Sequence, residues 1–161
     1  MARGIPLNTA GVKIGYCVET TAGTRPATGY KQIHDIKEVP DFNPEPEAHE
    51  TTDLEATEYK TYVAGLKDVG GALGFLANFT QELQTAWTAI ISAYETAKKS
   101  TLGMYFVIEH PGLADAVYFR GEPSAMGLPS MSANSVLETT LYITPTGEPT
   151  WATKPTEWVN N

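Results

Sequence analysis

Hydrophobic and polar positions alternate with period two over Gly11–Glu19: Val12, Ile14, Tyr16 and Val18 against Lys13, Gly15, Cys17 and Glu19. That is the signature of a half-buried strand. Thr20–Tyr30 has loop composition. A second strand is predicted over Lys31–Val39, with an imperfect alternation that sets Ile33 and Ile36 on opposite faces. Val69–Thr80 reads as a strand with Leu73, Phe75, Ala77 and Phe79 on one face; Gly70, Gly71 and Gly74 imply a kink or a close backbone approach. The period then changes. Leu83, Trp87, Ile90, Ile91 and Tyr94 stand at i, i+4, i+7, i+8 and i+11 and predict one amphipathic helix over 81–99. Asn78 or Thr80 can cap its start, Glu82 suits the first turn, and Lys98 and Lys99 suit the last.

Strands return after Gly103. Met104–His110 and Ala114–Gly121 flank a His110-Pro111-Gly112 turn signal and predict a hairpin. A short strand is expected near Ala125–Leu128 and a last strand over Ser135–Thr144, stopped by Pro145 and Gly147. The remainder, 145–161, shows no period but carries Trp151 and Trp158, which implies a tail that docks on its own domain or on a neighbour. Residues 1–10 read as an extended arm broken by Gly4 and Pro6. The count of strands against one helix predicts a mainly β fold in one domain over 1–161: a sandwich or barrel with a single flanking helix.

One stretch fits no ordinary connection. The segment Val39–Gly71, and within it the long loop 40–70, starts proline-rich and stays acidic. Nine acids fall between Asp35 and Glu58, almost half of the chain's 19, with Lys37 as the one Lys or Arg among them. Loops of that length inside a compact domain are functional or disordered. This one also carries Leu54, Tyr59, Tyr62, Val63 and Leu66, which need a surface to bury against; His49–Asp53 and Glu58–Val63 are the parts that can pair as strands.

Composition narrows the chemistry. Eleven bases against 19 acids give a net charge of −8, which argues against a general nucleic-acid binder and against an anionic membrane surface. The start of the chain lacks the apolar stretch of a secretory signal, and no run approaches the length that spans a bilayer. The single cysteine, Cys17, allows no intrachain disulfide and reads as a small buried residue. His34, His49 and His110 form no metal-ligand spacing, and His110 reads as a solvated turn residue. No nucleophile elbow, phosphate loop or dinucleotide motif is present, and the acids have neither calcium-loop spacing nor an apolar pocket to tune a catalytic pair. We therefore expect no enzyme, no catalytic or metal residues and no cofactor.

Several segments, in order, resemble the major tail tube proteins of long-tailed, siphovirus-type bacteriophages: Val39-Pro40-Asp41-Phe42-Asn43-Pro44-Glu45-Pro46, then Glu50-Thr51-Thr52-Asp53-Leu54-Glu55, then Tyr62 through Gly71, and the finish Thr140 through Trp151 with Pro145-Thr146-Gly147-Glu148-Pro149. The resemblance implies a β-sandwich with one flanking helix, hexameric rings stacked into a tube, and a lumen that conducts double-stranded DNA without binding it. It implies assembly in the host cytoplasm into a virion tail, alongside a tape measure protein, a tail terminator and tail-tip proteins. On that layout Leu54, Tyr59, Tyr62 and Leu66 are subunit-contact anchors within a Glu47–Lys67 arm, and Asp35 and Glu38 are the acids expected to face the lumen. Two other readings stand beside it. One is a monomeric ligand-binding module, such as a carbohydrate-binding barrel with a Tyr59, Tyr62 and Trp151 platform. The other is the tube of a secretion or tailocin-like apparatus.

Overall fold

The computed structural model describes residues 4–68 and 70–159. The first three residues of the arm, the predicted strand start at Val69 and the last two residues of the tail lie outside them. The elements are β1 (Lys13–Val18), β2 (Tyr30–Ile33), β3 (Ile36–Glu38), β4 (Glu45–Glu50), β5 (Tyr62–Asp68), β6 (Leu73–Asn78), α1 (Gln81–Lys99), β7 (Met104–Glu109), β8 (Asp115–Pro123), β9 (Glu138–Pro145), β10 (Thr150–Thr153) and β11 (Trp158–Val159). The fold is mainly β, a sheet curled into a half-barrel with one helix. Its strand order is β11-β2-β1-β7-β8-β9-β6-β3, with β10 paired to β8; β4 and β5 form a separate two-stranded sheet.

The curl follows from one corner. β2 pairs with β1 near one end of this path, whereas β3 pairs with β6 at the other. Only His34 and Asp35 separate them, and three residue steps span at most about 11 Å. The two ends must therefore come together. Asp35 makes the turn with φ +68°, a left-handed conformation that Asp tolerates better than most side chains. Its carbonyl accepts from Asn78 N–H at 2.9 Å. Its carboxylate accepts from the Thr80 hydroxyl at 2.8 Å. Thr80 in turn caps α1, accepting from Leu83 N–H at 3.1 Å. The single strand expected over Lys31–Val39 is thus two strands on two parts of the sheet. The left-handed residue also resets the alternation, so Ile33 and Ile36 join the same core instead of opposite faces.

That core fills the concave face. Ile14, Ile33, Phe75, Phe106, Phe119, Leu141 and Ile143 pack with Leu83, Trp87, Ile90 and Tyr94 of the helix stripe. Full burial of each large side chain contributes about 1.5–3 kcal/mol. Trp87 is the largest, and its indole N–H donates to Ser124 carbonyl at 2.9 Å. Phe42, just before the acidic segment, lies with its ring 4.8 Å from Phe119 and 6.2 Å from Phe75.

The convex face carries a second cluster of Tyr30, Val107, Ala116 and Tyr118. The tail covers part of it. β10 runs along β8, Trp151 opposite Val117, and β11 adds in parallel to β2. The tail therefore docks on its own subunit. Trp158 lies over Gly15, where a Cβ would come within 2.2 Å of the indole. β9 and β10 pair with successive parts of β8, Gly121 facing Pro145 and Tyr118 facing Thr150, so Thr146–Pro149 interrupts what is otherwise one course along β8. Near the far end, buried Glu19 accepts from Gly103 N–H at 2.8 Å and Gly23 N–H at 3.3 Å and pairs with Arg120 Nε at 3.0 Å.

Other boundaries move. The 69–80 strand begins at Leu73 within the described residues, the 135–144 strand covers Glu138–Pro145, and Ala125–Leu128 forms no strand. Within the acidic segment the paired strands, Glu45–Glu50 and Tyr62–Asp68, share only His49–Glu50 and Tyr62–Val63 with the expected stretches and extend away from the tip instead of into it. Cys17 is half-buried, with burial pushing its thiol pKa up.

The corner yields a stability test. Asp35→Ala removes both the carboxylate and the tolerance of positive φ, and should lower unfolding free energy by about 1–3 kcal/mol. Asp35→Asn should lose much less. Urea midpoints of the two variants check this, and equal midpoints would count against the corner.

Candidate assembly surface

β4 and β5 pair antiparallel, with Ala48 opposite Ala64, His49 opposite Val63 and Glu50 opposite Tyr62. Every residue of β4 is exposed, and so is every residue of β5 except Gly65. An isolated two-stranded hairpin is marginal in water because it has no face to bury. Alternation sorts its side chains. Tyr62, Ala64 and Leu66 share one face with Ala48 and Glu50, while Val63 and Lys67 share the other with His49 and Pro46. A bulge between Pro46 and Ala48 shifts the register.

The tip from Thr51 to Thr61 is closed locally. Thr51 N–H donates to Thr61 carbonyl at 2.8 Å, and Thr61 N–H donates to the Thr52 hydroxyl at 2.9 Å. Asp53 accepts from Glu55 N–H at 3.1 Å. The tip therefore has its own turn chemistry but no apolar cover. Leu54 is fully exposed, Tyr59 is 82 % and Leu66 84 % exposed, and Tyr62 is 57 % exposed. All four residues expected from the sequence to be anchors stand on this hairpin, Tyr62 and Leu66 on the face they share with Ala48, and Leu54 and Tyr59 at its tip.

The two feet of the hairpin differ. One is pinned by Phe42 in the core, followed by Asn43, whose amide N–H donates to Asp41 at 2.8 Å. The other passes through Gly70 and Gly71 at φ +95° and +74°, with no atoms near either Cα substituent position. Charge at the base is repulsive. Glu45 faces Asp68 directly across the strands, an arrangement that destabilises a pair. Lys60 lies 3.6 Å from Glu50, on a well-solvated surface where the pair contributes little.

At the open end of the half-barrel lies a groove of about 730 Å³, lined by Val12, Ile33, Ile36, Ile108, Val117 and Trp151. Asp35 and Glu38 border it. The Asp35 carboxylate is engaged by Thr80, whereas Glu38 is exposed at the end of β3. Lys37, between them, pairs with Glu138. The platform of Tyr59, Tyr62 and Trp151 is divided: the two tyrosines belong to the hairpin, and Trp151 belongs to β10 beside Val117. Among the described residues, no three His, Cys, Asp or Glu side chains gather to hold a metal ion, and no helix is long and apolar enough to cross a membrane.

Sequence reasoning missed two features of this end of the molecule. Phe42 is the wedge that anchors the hairpin, and an isolated Phe between polar residues was its only signal. His110 opens the turn as expected and stays half-exposed, but its ring also meets the Asn8 carbonyl and the Gly112 N–H; nothing in its local sequence marks that.

No protein-family model matches the sequence, and no characterised protein matches it by sequence. Solved structures do match its fold. One is a chain of the cryo-EM structure of the anti-feeding prophage baseplate, 6-fold symmetrised, at a TM-score of 0.63 and 12 % identity over 94 % of this chain and 98 % of that one. Another is a chain of the anti-feeding prophage cap, a tube-terminating cap, at 0.57 and 12 % identity over 96 % and 95 %. This chain shares the fold of both. A fold shared at that identity carries architecture alone.

The exposed hairpin gives a second test. Leu54→Ser, Tyr62→Ser and Leu66→Ser should each change the unfolding free energy of the dispersed chain by no more than about 0.5 kcal/mol, as for surface positions in general. A chemical denaturation curve measures it; a loss of several kcal/mol would show that the hairpin supports its own subunit.

Proposed function

We propose that the chain is a structural subunit that self-assembles into stacked hexameric rings, forming the tube of a tail-like particle. The observation that carries this reading is the hairpin: an acidic, two-stranded arm whose Leu54, Tyr59, Tyr62 and Leu66 side chains are left exposed among the described residues, set on the fold shared with the anti-feeding prophage structures. A second copy supplies the missing surface. Burying Leu54, Tyr59, Tyr62 and Leu66 there would contribute about 1.5–3 kcal/mol per fully covered side chain, enough to stabilise an arm that is marginal alone. The six-fold symmetry belongs to the related baseplate structure, and this chain takes it over here as part of the proposal.

In a virion the tube would conduct double-stranded DNA. An acidic bore suits that task, because carboxylates repel phosphates where Lys and Arg would hold them. Glu38, exposed beside the groove, is the better placed of the two proposed lumen acids; Asp35 also serves the corner. A tape measure protein inside the tube, with terminator and tip proteins at its ends, would complete the assembly. The role is structural rather than catalytic, and the site of assembly is the host cytoplasm. The anti-feeding prophage structures favour one second reading, in which the same tube belongs to a phage-derived, tailocin-like apparatus and carries a different cargo.

Negative-stain electron microscopy of concentrated protein should show rings or tubes of uniform bore. Deleting Glu50–Glu58 should leave folded subunits that form none, and efficient tube formation by that variant would refute the hairpin's role. A strictly monomeric wild-type sample under every condition would refute the assembly itself. Glu38→Lys should leave tubes intact but slow genome ejection severalfold from particles that carry it, as added positive charge holds the phosphates; unchanged ejection would remove Glu38 from the lumen.

A further inference from the structure

The strand registers give the sheet two ends. Val18 lies opposite Met104, Met104 opposite Gly121, Gly121 opposite Pro145, and Ile143 opposite Leu73, which gathers these residues at one end. Lys13 opposite Glu109 and Asn78 opposite Glu138 mark the other end, where Asn78 also meets the Asp35 corner. The hairpin has its foot at the first end, because β5 returns through Gly70 and Gly71 to Leu73. The groove lined by Val12, Ile33, Ile36 and Ile108 lies at the second. Most of the large apolar side chains left exposed among the described residues divide in the same way. Leu54, Tyr59, Tyr62, Val63 and Leu66 stand on the hairpin. Val39, Leu113 and Trp151 line the groove, and Ile5 and Leu7 belong to the arm that passes Gly112 in the β7–β8 turn beside it.

We propose that the groove of one copy is the seat for the hairpin tip of the next. The seat rests on the assembly proposed above and names the acceptor that the hairpin needs. Three features select this occupant. Leu54 is fully exposed and Tyr59 nearly so, which means the tip does not lie in the groove of its own subunit. Strands of six and seven residues span about 20 Å, enough to hold the tip well away from its feet. The groove, at about 730 Å³, falls in the range of roughly 300–1,000 Å³ that encloses a compact apolar group. Charge does not choose the occupant, because the rim mixes His34, Lys37 and His110 with Asp35, Glu38 and Asp115; the apolar match does. Donor and acceptor are different surfaces at opposite ends of the sheet. The contact is therefore heterologous: each copy gives a hairpin at one end and takes one at the other, which propagates along the strand direction instead of closing a two-fold pair. A stack built this way is polar. One end presents empty grooves and the other presents unseated hairpins, so each end needs its own kind of cap.

The test uses the full chain under conditions where the wild type assembles. In a Cys17→Ser background, Leu54→Cys with Leu113→Cys should join copies into a ladder through a short bismaleimide crosslinker. Leu54→Cys with Tyr142→Cys, an exposed position at the hairpin's own end of β9, should not. Trp151→Arg with Leu113→Arg spoils the groove and keeps the hairpin, whereas deleting Glu50–Glu58 does the reverse. The groove variant alone should need at least about tenfold more protein to stack, the loss expected on spoiling one apolar anchor site. The deletion alone should not stack. Mixed, the two should join through one intact hairpin and one intact groove into complexes two layers deep that grow no further. A groove variant that stacks like the wild type would overturn the seat, as would a mixture that forms no complex, or a Tyr142 pair that links as well as the Leu113 pair. Wild-type tubes alongside any of those results would leave the assembly standing and remove the groove alone; a wild-type chain that never assembles removes both. Should the groove variant fail to fold, the crosslinking pattern decides.

Discussion

The two-residue hop from β2 to β3 is the constraint on which the rest depends. It ties strands from opposite ends of an eight-strand path to a separation of about 11 Å or less. A twisted open sheet would hold those ends far apart, so the sheet curls. Curling turns one face concave, and the concave face is where α1 finds cover for Trp87, Ile90 and Tyr94. The corner residue serves both parts. Asp35 turns the chain through its backbone and steadies the Thr80 cap through its carboxylate, so the start of the helix and the closure of the sheet are set by the same few atoms.

Once the sheet is curled, its convex face and its edges need other cover. The tail supplies some: β10 along β8, β11 along β2, and the Trp158 ring over a glycine that leaves room for it. The Thr146–Pro149 interruption lets β9 stay with β6 while β10 keeps to β8. The hairpin is the element that receives no such cover. Its position is nonetheless defined, because Phe42 is held by two core phenylalanines immediately before it leaves the sheet. A marginal element on a fixed foot suits surfaces completed by a neighbour. The geometry thus separates a body that satisfies itself from an arm that does not.

Much of this was legible from the residues. The helix limits of 81–99 follow from a clean stripe with polar flanks, with Thr80 one of two candidate caps, and β1, β7 and β8 follow from strict alternation around clear turns. The hairpin was legible as an anomaly, since exposed Leu54, Tyr59, Tyr62 and Leu66 in so acidic a stretch require an explanation. Its strands were misplaced because Glu and Pro are poor strand residues, and β4 is made largely of them. β10 and β11 were invisible for a related reason. Segments of four and two residues have no period to read, and they are strands only because β8 and β2 offer edges to them.

The sequence by itself determined the class of fold, the one helix, the acidic character and the presence of an arm in want of a surface. These rest on local periodicity and composition, which are properties of neighbours along the chain. Only the tertiary structure decided that Ile33 and Ile36 share a core, that Phe42 anchors the hairpin and that the tail closes on its own subunit. It likewise decided that His110 joins arm, turn and tail. Each of those depends on residues tens of positions apart meeting at a corner or an edge. A left-handed residue at Asp35 and an open strand edge are created by the fold as a whole and leave no periodic trace in the order of the side chains.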